Sequence, residues 1–108
     1  MDPVITVRHC DIAPDLRDRV LSILQRIGRL AGRPTDATAV FSAAGGLAGV
    51  ELRLDAAGGP LLVARANAGD HRTALDRAEE RLRRQVARVS GRLRGARHSS
   101  ELPERPQV

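Results

Sequence analysis

The sequence predicts an α+β sandwich, with elements in the order β-α-β-β-β-α and two helices packed on one face of a four-stranded sheet. Three observations predict it. Short β-branched or alternating runs occur at 4–9, 36–42, 50–55 and 61–68. Two longer segments switch to apolar spacings of three and four residues. Glycine-rich turns then join the last three strands closely enough to make them antiparallel neighbours.

The first strand, "VITVRH" (4–9), is short and β-branched. In "CDIAPDLRDRV" the period changes: Pro14 suits the first helical position, and Asp15 and Asp18 lie where the helix dipole favours acids. Leu16, Val20, Ile23, Leu24, Ile27 and Ala31 form one apolar stripe, and Gly32 and Pro34 end the helix. "DATAVFS" (36–42) is the second strand and "AAGGLAG" a turn. "VELRLD" (50–55) alternates cleanly, with Val50, Leu52 and Leu54 inward. "AAGGP" turns into the fourth strand, "LLVARANA" (61–68). Asp70 is a helix N-cap. The second helix carries Ala74, Leu75, Ala78, Leu82, Val86, Val89 and Leu93 as its stripe. Gly91 weakens it by about 1 kcal/mol and marks the expected point of fraying.

The chain has 108 residues, enough for one core, read as a single domain over 1–95 and a flexible polar tail over 96–108. Phe41 is the only residue among Phe, Trp and Tyr, which excludes base recognition on stacked aromatic platforms. The net charge is +5, and all 18 basic residues are Arg. Codon usage in a GC-rich genome accounts for Arg in place of Lys, but not for where the arginines sit. Anionic partners are therefore expected. Cys10 is the only cysteine, so no internal disulfide forms, and no apolar run reaches membrane-spanning length. A cytoplasmic, soluble protein is expected.

The arginines of 77–97 are phased. At about 100° per residue, Arg77, Arg81, Arg84, Arg88 and Arg92 fall within a sector of about 80°. The apolar stripe is centred about 110° away, so the row lies beside the buried seam. Arg19, Arg26 and Arg29 share one flank of the first helix, and two adjacent helices would merge these flanks into one basic surface. The planar guanidinium fork matches phosphate oxygens. Glu79 and Glu80 support the other reading, a salt-bridged solvated face, through pairs with Arg83 or Arg84 at helix spacing. Periodicity leaves both readings open.

Other constellations carry no chemistry. His9, Cys10 and Asp11 are adjacent on a strand and point to alternate faces, so they form neither a metal site nor a Cys–His nucleophile. The glycine-rich turns lack the Gly-Lys-Ser/Thr ending of a phosphate loop. No catalytic set, cofactor or small-molecule substrate is expected, and the reading is of a non-enzyme.

Two signatures carry a resemblance. In "ITVRHCDIAPDLRDRV" they are Ile5, Thr6, Ile12, Pro14, Leu16, Arg17 and Val20. In "GDHRTALDRAEERLRRQVARVSGRL" they are Asp70, Ala74, Leu75, Asp76, Arg81, Leu82, Arg84, Gln85, Val86 and Arg88. On these the chain resembles the ribosome hibernation promoting factor and ribosome-associated inhibitor A family, in its short, single-domain form, over about residues 3–94. The resemblance implies a fold similar to double-stranded RNA-binding domains. It implies occupation of the messenger and transfer RNA channel of the small ribosomal subunit, with ribosomal RNA as ligand and a monomer off the ribosome. It also implies RNA-binding roles for Arg81, Arg84, Arg88 and Arg92, for Arg26 and Arg29, and for Arg8. Helix phase adds Arg77.

The chain departs from the family pattern at Ile23, where members often carry a basic residue, and at His71, Arg72, Glu79 and Ala13. Longer members add a linker and a dimerisation domain. An alternative follows from these departures: a stress-linked protein-interaction module that kept the fold and lost the ribosome. A third reading, a basic helix on an anionic membrane, is disfavoured because the apolar stripe is needed by the sheet.

Overall fold

The computed structural model describes residues 2–32, 34–56 and 59–97, with the side chains of 34, 35, 56 and 90–97 outside the description. The elements are β1 (Val4–Arg8), α1 (Pro14–Leu30), β2 (Pro34–Ala44), β3 (Leu47–Ala56), β4 (Leu62–Ala68) and α2 (His71–Arg97). The sheet order is β1-β2-β3-β4. β1 pairs parallel to β2 through the α1 crossover, and the other pairs are antiparallel. This is the expected α+β arrangement.

Register sets which face is covered. Ile5, Ala39, Leu52 and Ala64 lie in one row across the sheet, and Val7, Phe41, Val50 and Ala66 in the next. These rows face the helices: Ala39, Phe41, Leu52 and Ala64 are buried with Val20, Ile23, Leu24 and Ile27 of α1 and Leu75, Ala78 and Leu82 of α2. Among the described residues no polar or charged side chain is buried. Alanines at 64, 66 and 68 face Ala74 and Ala78 within the same cluster, so α2 settles close to β4.

The largest differences from expectation lie at the β2–β3 hairpin and at the end of α2, and β2 starts at Pro34, which was expected to end the helix. The turn expected over 43–49 shrinks to Gly45 and Gly46, both at positive φ (60° and 79°), as a two-residue type I′ hairpin requires. The flanking alanines and Leu47 join the ladder despite their low strand propensity, because the hairpin holds them opposite partners. α2 runs through Gly91 to Arg97 instead of stopping there. The expected tail lies, from residue 98, outside the described residues.

α1 starts on Pro14 without a side-chain cap. The Leu16 and Arg17 amides both donate to the Ala13 carbonyl at 3.0 Å. Gly32, at φ 100°, terminates it in the left-handed region that an L-residue rarely adopts.

Candidate nucleic-acid interface

α2 is anchored at its first turn. The Thr73 amide donates to Asp70 Oδ1 at 2.8 Å, and Thr73 Oγ1 donates to Oδ2 at 3.0 Å, so Asp70 is the N-cap of the helix. From there the buried stripe fixes the rotation of the helix, and with it the arginine row. The row lies along β4, which is an edge strand. Arg77 Nη1 donates to the Asn67 carbonyl at 3.0 Å, Arg81 Nη1 to the Arg65 carbonyl, and Gln85 Nε2 to the Val63 carbonyl at 2.8 Å. Residues four apart on the helix thus serve carbonyls two apart on the strand. They satisfy acceptors that an edge strand otherwise leaves open to another chain.

Further along, the row is released. Arg84 and Arg88 form no ion pair with the described residues. With Arg81 and Gln85 they rim an open groove of about 630 Å³ over an apolar floor of Pro60, Leu62 and Val89. Three arginines line it, Arg81 while also bound to β4, without a carboxylate among the lining residues, which suits an anion.

The opposite flank of α2 is different. Arg72 pairs with Asp15, Arg19 with Asp76, and Arg83 with Glu79 at 3.0 Å, with Arg19 also 3.9 Å from Glu79. The first two pairs show that α1 and α2 run in the same direction. They also fill the seam between the helices with neutralised charge. The single merged basic surface expected from the two helix flanks therefore does not form across this seam; the α2 row lies on the far flank, beside β4. The salt-bridged face thus occupies the flank toward α1, and the arginine row occupies the flank along β4.

A model of the sigma 54 modulation protein / S30EA ribosomal protein family matches residues 4–94. The chain belongs to this family. Among solved structures, it is similar to the N-terminal domain of Thermus thermophilus Protein Y at 34% identity. That match covers 80% of this chain and 93% of the other, with a TM-score of 0.66. It shares its fold with a ribosomal subunit interface protein from Coxiella burnetii at 20% identity, covering 82% and 98% of the two chains, with a TM-score of 0.70. No curated protein matches the chain.

For this S30EA-family chain, four of the departures noted in the sequence have a physical account, and Ala13 leaves α1 without a side-chain cap. Ile23 is fully buried, so it removes nothing from a basic surface. Arg72 joins α2 to α1 through Asp15. Glu79, with its side chain only 18% exposed, is held by Arg83 and Arg19. The His71 ring meets Phe41 edge-on at 5.6 Å, and its Nε2 donates to the Ser42 carbonyl at 2.8 Å. Cys10 Sγ lies 3.8 Å from the same nitrogen, and His9, at φ 59°, ends β1 in the left-handed region.

The remaining site residues lie apart. Arg26 and Arg29 are exposed on the C-terminal half of α1, without an ion pair among the described residues. Arg8 closes β1 in register with Ser42, Gly49 and Asn67 on the sheet face away from the helices. Arg92 lies on α2, with its side chain outside the described residues. Sequence reading missed Gln85 as a partner of β4, and it gave Arg53, which it pointed outward, and Arg65 no part in the site. The strand alternation that points Arg53 outward was the available signal for both arginines.

Three carboxyls sit below the usual carboxylate range. Asp15 is lowered chiefly by its bond from Arg72, Glu51 by its bond from Arg65, and Asp70 by the Thr73 amide. A depressed folded-state pKa contributes stability above the unfolded value near 4, and that contribution is lost as pH falls through the folded value. The thermal midpoint is therefore expected to fall below about pH 4 in melts followed from pH 6 to 2. A midpoint that stays constant or rises on acidification contradicts this.

Proposed function

We propose that this chain is a translation inhibitor that binds the small ribosomal subunit in the decoding channel and excludes messenger and transfer RNA. The observation that carries the proposal is the run of α2 arginines released from β4, Arg84 and Arg88, rimming a groove that no carboxylate lines. Membership of a ribosomal-protein family supports the choice of partner. Contact is to phosphates, through Arg84, Arg88 and Arg92 on α2, flanked by Arg77 and Arg81, with Arg26 and Arg29 of α1 and Arg8 of β1 as separate anchors. With Phe41 its only residue among Phe, Trp and Tyr, and that one buried, the protein reads charge and shape.

Occlusion is steric and needs no catalytic group. Of the features behind the protein-interaction alternative, which include the lack of the longer members' dimerisation domain, Ile23 and Arg72 have structural roles, in the core and in the α1–α2 seam.

Phosphate binding releases counterions, so six such contacts lose about a thousandfold in affinity between about 50 and 200 mM salt. Cosedimentation with purified small subunits across that range measures it. No binding at the lowest salt, or binding insensitive to salt, removes the proposal.

A further inference from the structure

Arg8 poses a problem for an interface confined to the helices, because it stands on the other face of the sheet. Its surroundings there are specific. The cross-strand row Arg8, Ser42, Gly49 and Asn67 runs the full width of the open face. Gly49 makes the row concave: a Cβ on it would lie 2.7 Å from Ser42 Oγ and 3.0 Å from Asn67 Oδ1. A hydroxyl and an amide thus converge over a glycine, in a depression of about 200 Å³ that Arg8 and Arg65 also line.

The one carboxylate in the depression is already engaged. Glu51 accepts from Arg65 Nε at 2.5 Å and from Arg53 Nε at 2.6 Å. Each arginine uses its Nε in the pair, leaving both Nη groups for another acceptor. Arg65 keeps its side chain 73% exposed, and Arg8 has no ion pair among the described residues. At the sheet edge Arg77 binds the Asn67 carbonyl and Arg81 the Arg65 carbonyl, so basic groups continue from the α2 groove around β4 to this face.

We propose that the Arg8–Ser42–Gly49–Asn67 row, with Arg65, is a second phosphate seat that holds an RNA backbone phosphodiester on the open sheet face. This rests on the ribosome-binding reading above. The recess admits a phosphoryl oxygen close to the backbone, the Ser42 hydroxyl donates to it, Asn67 donates once its amide turns to present Nδ2 in place of Oδ1, and Arg8 and Arg65 supply the charge. RNA then contacts the protein on both sides of the β4 edge, and the domain is gripped across that edge.

The test uses the full chain and purified small subunits, with Asn67→Asp and Arg8→Ala as separate variants. Asn67→Asp exchanges the amide donor for a carboxylate of the same size, and Arg8 is exposed, so neither disturbs the core. Each variant is expected to bind about tenfold more weakly, and Arg8→Ala to lower the salt slope by about one, with Arg8→Lys restoring the slope. Affinities within about twofold of wild type and an unchanged slope overturn the second seat. Arg84→Glu/Arg88→Glu, measured in parallel, separates the two failures: lost binding in that variant keeps the ribosome reading, whereas retained binding removes both.

Discussion

Reversing the charge of Arg84 and Arg88 together abolishes binding to small ribosomal subunits while leaving the thermal midpoint within about 2 °C of wild type. The two halves of this expectation come from one observation. Arg84 and Arg88 make no ion pair with the described residues and face a groove, so surface substitution there removes no described salt bridge and leaves no buried group unpaired. Each reversal removes an attraction to phosphate and adds a repulsion, and two of them exceed the few kcal/mol that separate firm from undetectable binding. Arg81 is left out of the variant because it donates to β4, and changing it would mix folding with binding. Binding that survives, measured by cosedimentation at low salt, means that α2 is not the gripping surface. Binding lost together with a large drop in midpoint means that the two arginines hold the fold.

Phe41→Ala is expected to bring the largest loss of stability. Phe41 is fully buried at the centre of β2, opposite Val7 of β1 and Val50 of β3, and it is the largest side chain in a core rich in alanine. Its removal leaves a cavity that small neighbours cannot fill, at a cost of about 3–5 kcal/mol from a total of about 5–15. The edge-on contact with His71, at the first turn of α2, goes with it. At roughly 4 °C per kcal/mol for a domain of this size, the midpoint falls by about 12–20 °C. Far-ultraviolet circular dichroism is the suitable probe, since the chain has no Trp or Tyr. A drop under about 5 °C means the core closes over the gap, against the rigid packing described.

Much of this molecule is legible from side-chain periodicity. Val50, Leu52 and Leu54 alternate into the core as their spacing says, and the α1 stripe is buried from Leu16 to Ile27. Periodicity and family resemblance disagree at Ile23, and the structure follows periodicity. What escapes the sequence is which neighbour stands on each flank. Helical phase places Arg77, Arg81 and Arg84 together beside the seam, but not against a strand edge whose carbonyls engage the first two and leave the third. That division depends on β4 being the last strand of the sheet and on alanines letting α2 approach it, neither of which has a local signal. The length of β2 and β3 escapes for a related reason, since Ala43, Ala44 and Leu47 take their conformation from partners across the hairpin.

The carbonyl contacts along β4 work as a vernier between two rulers. Four residues of helix advance about 6.0 Å, and two residues of strand about 6.8 Å, so each successive contact is out of step by a further 0.8 Å or so. Three contacts, at Arg77, Arg81 and Gln85, span two such steps, and the side chains absorb the offset of about 1.6 Å. The next position in the series is Val89, which has no donor to offer and lies in the apolar floor of the groove. The contact series therefore closes at Gln85, where β4 (Leu62–Ala68) runs out, and side chains farther along α2 face a groove instead of a strand.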